Sequence, residues 1–278
     1  MRLEALFPLQ IPLLILVLFL GGGHLLSGCS RSPQAPAPRG TEHGTEHGTE
    51  VIIFVDFSDS TRKQDRALYE QAITNQILPS LSEGDRLLIA PINDKTLTEF
   101  HPLVEATLPP KPTFNGWMDN VLKYNRQVKE VDTQVVQLKE TVLAQVADVF
   151  ARRYPSPYTD IFSSLLIAQK LFHNEARRKV LVLMSDMIED YGPYRFDKTA
   201  WGPDTNQKLL SELEAKGLIP DLSGICVYVS GVSAGSADLA ENIGVFWQAY
   251  FQRTKADMDP SRYAHVLLHW PPSKSCSV

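Results

Sequence analysis

The stretch VIIFVDFSDS, residues 51–60, decides the fold. Five consecutive apolar residues, Val51 to Val55, suit a strand buried on both faces, and four of them are β-branched. An acid and two hydroxyls follow at alternating positions: Asp56, Ser58 and Ser60. In open α/β sheets the crevice beyond the carboxyl ends of the strands is where ligands bind. A carboxylate beside hydroxyl oxygens suits a hard cation such as Mg²⁺ or Ca²⁺. The same residues also suit the cap of a helix starting near Thr61, since Ser and Asp are favoured there.

Outward from this stretch, strands and helices alternate. Residues 61–78 carry apolar positions at Leu68, Ala72, Ile73 and Ile77, a helical spacing that Pro79 should stop. Residues 86–92, RLLIAPI, read as a second strand, and residues 96–108 as a more polar segment at the sheet edge. Residues 161–172 form a helical pattern, and KVLVLMSD, residues 179–186, repeats the first theme of a buried strand ending in an acid. Asp186 therefore has the placement of Asp56. A helix over residues 206–216 is expected to end at Gly217, followed by a strand at 225–229. An amphipathic helix over 237–252 should turn Leu239, Ile243, Phe246, Trp247 and Tyr250 inward, with a last strand at 263–269. The expected class is α/β, doubly wound around a mostly parallel sheet with one antiparallel edge strand.

Residues 116–153 interrupt this plan. Val121, Tyr124, Val128, Val131, Val135, Leu138, Val142 and Val149 step by three and four, with Gln145 breaking the series. That is a coiled-coil-like seam on one long helix, inserted into the domain. The seam fits a helix laid against its own domain, or an arm that pairs with another protein.

The first 50 residues are of another kind. Residues 11–20, IPLLILVLFL, form an uncharged apolar run, too short for the ~20 apolar residues of a membrane span. A short apolar run followed by small residues reads as a secretory signal. Leu26-Ser27-Gly28-Cys29 resembles the bacterial lipobox. That resemblance implies cleavage before Cys29, lipid on Cys29, and a body held at the cell envelope outside the cytoplasm. Acyl chains at about 0.8 kcal/mol per buried methylene would make the anchor durable. Residues 29–50, rich in Pro and Ser and then repeating TEHG, read as a flexible linker in which His43 and His47 belong to a polar spacer. The domain is expected over residues 51–272, with a tail at 273–278.

The net charge of −5 leaves no basic excess to neutralise phosphates, so a nucleic-acid partner is not expected. The three cysteines, Cys29, Cys226 and Cys276, lack metal-ligand spacing. Cys226 lies in an apolar run and Cys276 in a polar tail; a disulfide between them is permitted by the sequence without being established by it.

Asp56, Ser58 and Ser60 in one loop, Thr159 in TDIFSSL and Asp186 in LVLMSD together resemble the von Willebrand factor type A domain. Met187 stands where that family often has glycine. The resemblance covers about residues 51–270 and implies a metal-ion-dependent adhesion site. In that site Asp56, Ser58, Ser60, Thr159 and Asp186 hold Mg²⁺, or else Mn²⁺ or Ca²⁺, directly or through water. An ion held mainly by neutral oxygens can take an Asp or Glu carboxylate from a protein partner. No enzyme is expected: no activated nucleophile is evident, neither His101 nor His173 is placed as a base, and no Gly-rich phosphate loop occurs. The alternatives are a Mg²⁺-dependent hydrolase at the same acids and a structural tether acting through the long helix.

Overall fold

Every residue of the first strand from Glu50 to Asp56 is buried. The computed structural model describes residues 48–59, 61–116, 120–152, 154, 156–273 and 276. The lipobox cysteine Cys29, the linker histidines His43 and His47, and Ser60 of the acidic loop lie outside the described residues.

In chain order the elements are β1 (Thr49–Asp56), α1 (Lys63–Ala72), β2 (Arg86–Ile92), β3 (Val104–Thr107), α2 (Val121–Ala151), α3 (Ile161–Phe172) and β4 (Arg178–Met184). A short hairpin of β5 (Asp190–Tyr191) and β6 (Tyr194–Arg195) follows, then α4 (Thr205–Ala215), β7 (Ile225–Ser230), α5 (Ala237–Arg253) and β8 (Tyr263–Ala264). The main sheet has the order β3-β2-β1-β4-β7-β8. β3 runs antiparallel to β2, and every other pairing in this sheet is parallel. The protein is thus an α/β fold with a mostly parallel sheet and one antiparallel edge strand. From β1 the chain winds outward to β2 on one side and later to β4 on the other. The crevice between the ends of β1 and β4 is therefore the topological switch point.

Side chains of β1 alternate between two cores, as a period of two requires. Val51, Ile53 and Val55 join Tyr69 and Ile73, from α1 and the turn after it, and Val142, Val146 and Val149 from α2. Ile52 and Phe54 join Phe162, Leu165, Leu213, Phe246 and Trp247 from the other three helices. In α5, Ile243, Phe246, Trp247 and Tyr250 are buried as expected, and Leu239 packs at the margin of that core.

Three elements differ from expectation. The first helix does not stop at Pro79. A π-helical turn over Ile73–Ile77 widens it, with the Leu78 N–H bonded to the Ile73 carbonyl, and a last turn runs over Leu78–Ser80. The wider turn relieves the clash that a proline ring makes with the preceding carbonyls. The last strand shrinks to two residues, Tyr263–Ala264, beside β7. Beyond it His269 takes a left-handed conformation, and Pro271 and Pro272 have no N–H to offer a ladder.

The third difference lies in α2, whose 31 residues span about 46 Å. Its seam buries Val142, Val146 and Val149, so Val146 takes the place that Gln145 leaves vacant. Four-residue steps suit a straight helix of 3.6 residues per turn better than a strict heptad does. Val135 and Leu138 pack on the same core, and Lys139 donates to the Pro79 carbonyl at 3.1 Å. The N-terminal end differs: Val121 and Leu122 are exposed to 57% and 78%. One half of the helix lies on its own domain, and the other begins in solvent.

A disulfide joins Cys226 in β7 to Cys276 in the tail. Arg262 sits 3.0 and 2.9 Å from the two sulfurs, and Arg178 donates to the Cys276 and Pro272 carbonyls.

Val146→Ala should cost about 2 kcal/mol by urea denaturation, because it opens a cavity under α2. Val121→Ala should change stability by less than about 0.5 kcal/mol, as exposed substitutions do. Equal losses at the two sites would contradict this docking of α2.

Candidate metal centre

Asp56 closes β1 at the switch point with its side chain fully buried. Its Oδ1 accepts the Ser58 N–H at 2.8 Å, and its Oδ2 accepts the Ser185 hydroxyl at 2.9 Å. Burial pushes the carboxyl above its ordinary range, while Ser58, Ser185 and Thr61 pull it back. A carboxylate in such a place needs partners, because an unpaired buried charge is strongly unfavourable.

The loop after β1 is fixed from several sides. Arg66 donates to the Phe57 and Ser58 carbonyls at 2.9 and 2.8 Å. Phe57 is buried against Phe150 and Tyr154, at 5.5 and 5.0 Å between ring centres. The end of α2 and the segment after it thereby hold the acidic loop.

The third loop begins where β4 ends. Ser185 accepts the Met187 N–H at 3.0 Å on the same hydroxyl that donates to Asp56. Asp186 is buried, and its Oδ1 accepts the Ile188 N–H at 2.9 Å. Met187 adopts φ +65°. A left-handed conformation costs a side-chain-bearing residue about 1–2 kcal/mol. The buried Met187 side chain and the 2.8 Å hydrogen bond from Trp247 Nε1 to the Met187 carbonyl offset that cost.

Thr159 lies in the second loop, buried, and its carbonyl accepts the Asp190 N–H at 3.0 Å. The next residue, Asp160, caps α3 by accepting the Ser163 N–H at 2.9 Å. The three loops are thus tied in pairs. Asp59 N–H bonds to the Ser156 carbonyl at 3.3 Å, Asp190 N–H to Thr159, and the Ser185 hydroxyl to Asp56. Asp56, Ser58, Thr159 and Asp186 stand on loops so joined, whereas Ser60 and Cys29 lie outside the described residues.

Three further groups at this end of the sheet gave no sign in the sequence. Glu189, in the loop read as polar, is fully buried. Its Oε2 accepts the Ile161 N–H at 2.8 Å, and its Oε1 has no hydrogen-bond partner among the described residues. Burial, and then the charge of Asp160, hold its carboxyl well above the usual range. The hydroxyls of Tyr69 and Tyr263 are likewise buried with no partner among the described residues. Burial raises both, and the Asp56 and Asp186 charges add to this at Tyr69, as Asp186 does at Tyr263. Only a tertiary fold makes such groups visible, since Tyr69 has the spacing of an ordinary core residue of α1.

The donor set fits a hard divalent cation. All the groups are oxygens, two of the predicted ligands carry charge, and the surrounding orphaned hydroxyls suit the waters that Mg²⁺ retains. Cys226, Asp257 and Cys276 also lie close together, but the two cysteines are joined in the disulfide and Asp257 Oδ1 accepts from Arg262.

No protein-family model and no curated protein matches this sequence. Among solved structures, the chain is similar to the conserved hypothetical protein BatB from Bacteroides thetaiotaomicron: 12% identity, 72% of this chain and 87% of that one, TM-score 0.39. It is similar to an aerotolerance-related membrane protein from Bacteroides fragilis, at 13% identity over 80% of this chain and 92% of that one, TM-score 0.38. It is also similar to the SpRpn10 VWA domain, at 10% identity over 83% and 92%, TM-score 0.36. These likenesses concern the fold and nothing finer.

Glu189 yields a prediction about pH. A carboxyl raised on folding contributes stability that is present below the unfolded value of about 4.3 and lost as pH rises through the folded value. Glu189→Gln keeps an acceptor for Ile161 and cannot ionise. In chelator, wild type should lose stability relative to this variant as pH rises above the unfolded value, followed by denaturation at a series of pH values. Parallel curves would contradict the raised carboxyl.

Proposed function

We propose that this chain is a protein-binding module that uses a divalent ion, held by Asp56, Ser58, Ser60, Thr159 and Asp186, to capture an Asp or Glu carboxylate of a partner. Mg²⁺ is the preferred ion, with Mn²⁺ and Ca²⁺ as alternatives. One observation carries the reading. Three loops are hydrogen-bonded in pairs around two buried acids at the switch point. The ion would supply a charge-undersaturated Lewis acid with a place for one more anionic oxygen. The chain's own part is to hold Asp56 and Asp186 rigidly and to present neutral hydroxyls beside them.

The module is proposed to be tethered to a membrane by lipid on Cys29 and to work outside the cytoplasm. The Cys226–Cys276 disulfide supports that compartment, because such bonds persist chiefly in oxidising surroundings. From Thr49, β1 runs about 23 Å to Asp56, so Asp56 stands at the end of the strand away from Thr49.

Calorimetry with Mg²⁺ or Mn²⁺ should show one site on the full chain that Asp56→Ala abolishes. Equal affinity in wild type and variant would remove the metal reading. Metal-dependent hydrolysis of p-nitrophenyl phosphate, lost in the same variant, would replace binding with catalysis. Cys29→Ala should end labelling by a fatty-acid probe in a bacterial host, and persistent labelling would refute the lipid anchor.

A further inference from the structure

The metal reading leaves Tyr69 without a task, yet Tyr69 is placed as though it had one. It projects from α1 and is fully buried, and its hydroxyl has no hydrogen-bond partner among the described residues. The hydroxyl reaches the ends of β4 and β7 because residue 231 is glycine. A methyl group on Gly231 would collide with the Tyr69 hydroxyl and stand 2.8 Å from the Ser185 carbonyl oxygen. Gly231 also takes φ +112°, a conformation that side-chain-bearing residues rarely adopt. Ser185 is the residue that bonds Asp56 and precedes Asp186, so the phenol lies at the strand ends that carry the two acids.

A buried hydroxyl left unsatisfied is unfavourable. Phenylalanine would fill the same space without that cost. Tyr263 repeats the pattern from β8, with a buried hydroxyl that has no partner among the described residues. A phenol oxygen can accept a hydrogen bond as well as donate one, and neither hydroxyl has a partner among the described residues. Water bound to a cation is a strong donor to such an oxygen, and Mg²⁺ keeps several waters when held by few carboxylates.

We propose that Tyr69 is a positioning residue of the metal centre: its hydroxyl would accept a hydrogen bond from a water on the ion, with Tyr263 doing the same from β8. This rests on the metal reading and adds the hydration of the ion to it. Fixing such waters would hold part of the ion's hydration in place while a partner carboxylate is bound. Outer-shell groups of this kind commonly change metal affinity 10–100-fold.

The test uses the full chain in detergent with Mn²⁺ and Tb³⁺ as probes. Tyr69→Phe removes only the hydroxyl. The variant should bind Mn²⁺ about tenfold more weakly, by the electron paramagnetic resonance signal of free Mn²⁺. Tb³⁺ luminescence lifetimes in H₂O and D₂O should report fewer bound waters in the variant. Its melting temperature in EDTA should equal or exceed that of wild type, and Mn²⁺ should raise it less. Unchanged Mn²⁺ affinity and water count, with Asp56→Ala abolishing binding, would overturn the role of Tyr69 and leave the metal site standing. No Mn²⁺ binding by wild type would overturn both. Should Tyr69→Phe not fold, wild type carrying ring-deuterated tyrosine decides the matter. Deuterium modulation of the bound Mn²⁺ signal supports the proposal, and its absence overturns it.

Discussion

The hydrogen bond from the Ser185 hydroxyl to Asp56 Oδ2, 2.9 Å long, spans 129 residues of sequence and closes the switch point. It satisfies one oxygen of a fully buried carboxyl, while the Ser58 N–H satisfies the other. The same hydroxyl receives the Met187 N–H, which turns the chain sharply after β4 and holds the residue that follows Ser185, Asp186, at the start of that turn. A short polar side chain at position 185 thus does three things at once. It joins the two central strands, it reduces the cost of burying the first acid, and it sets the direction of the loop that carries the second.

Around this bond the fold supplies stiffness rather than chemistry. Trp247 grips the Met187 carbonyl from α5, and Phe57 is clamped by Phe150 and Tyr154 from the α2 side. The site is therefore held by helices from both faces of the sheet. An ion in such a frame would gain its affinity from preorganised oxygens. The disulfide and the Arg178 contacts to the tail lie near the start of β4 and β7, so they brace the opposite end.

Much of this was legible in the chain. The apolar runs before Asp56 and Asp186 specify two parallel, doubly buried strands. Strand-end acids point to the switch point because parallel strands present their carboxyl ends together. Pro79 misled because a π turn can absorb a proline, and a local rule does not see the packing that favours the wider turn. Residues 263–269 misled because alternating apolar residues suit a strand, whereas His269 and the two prolines turn the chain away. Glu189 and Tyr69 were not legible at all. Nothing in the residues beside Glu189 separates a buried carboxyl from a solvated one. The meaning of Tyr69 depends on Gly231, which lies 162 positions away.

The central claim is that oxygens from three loops share one divalent ion. Crystals of the full chain grown with Mn²⁺ and measured near the manganese absorption edge test it most directly. The account predicts an anomalous peak between Asp56, Ser58, Thr159 and Asp186, with the metal–oxygen distances of an octahedral site. A peak elsewhere, or none in an ordered loop at saturating Mn²⁺, would contradict it.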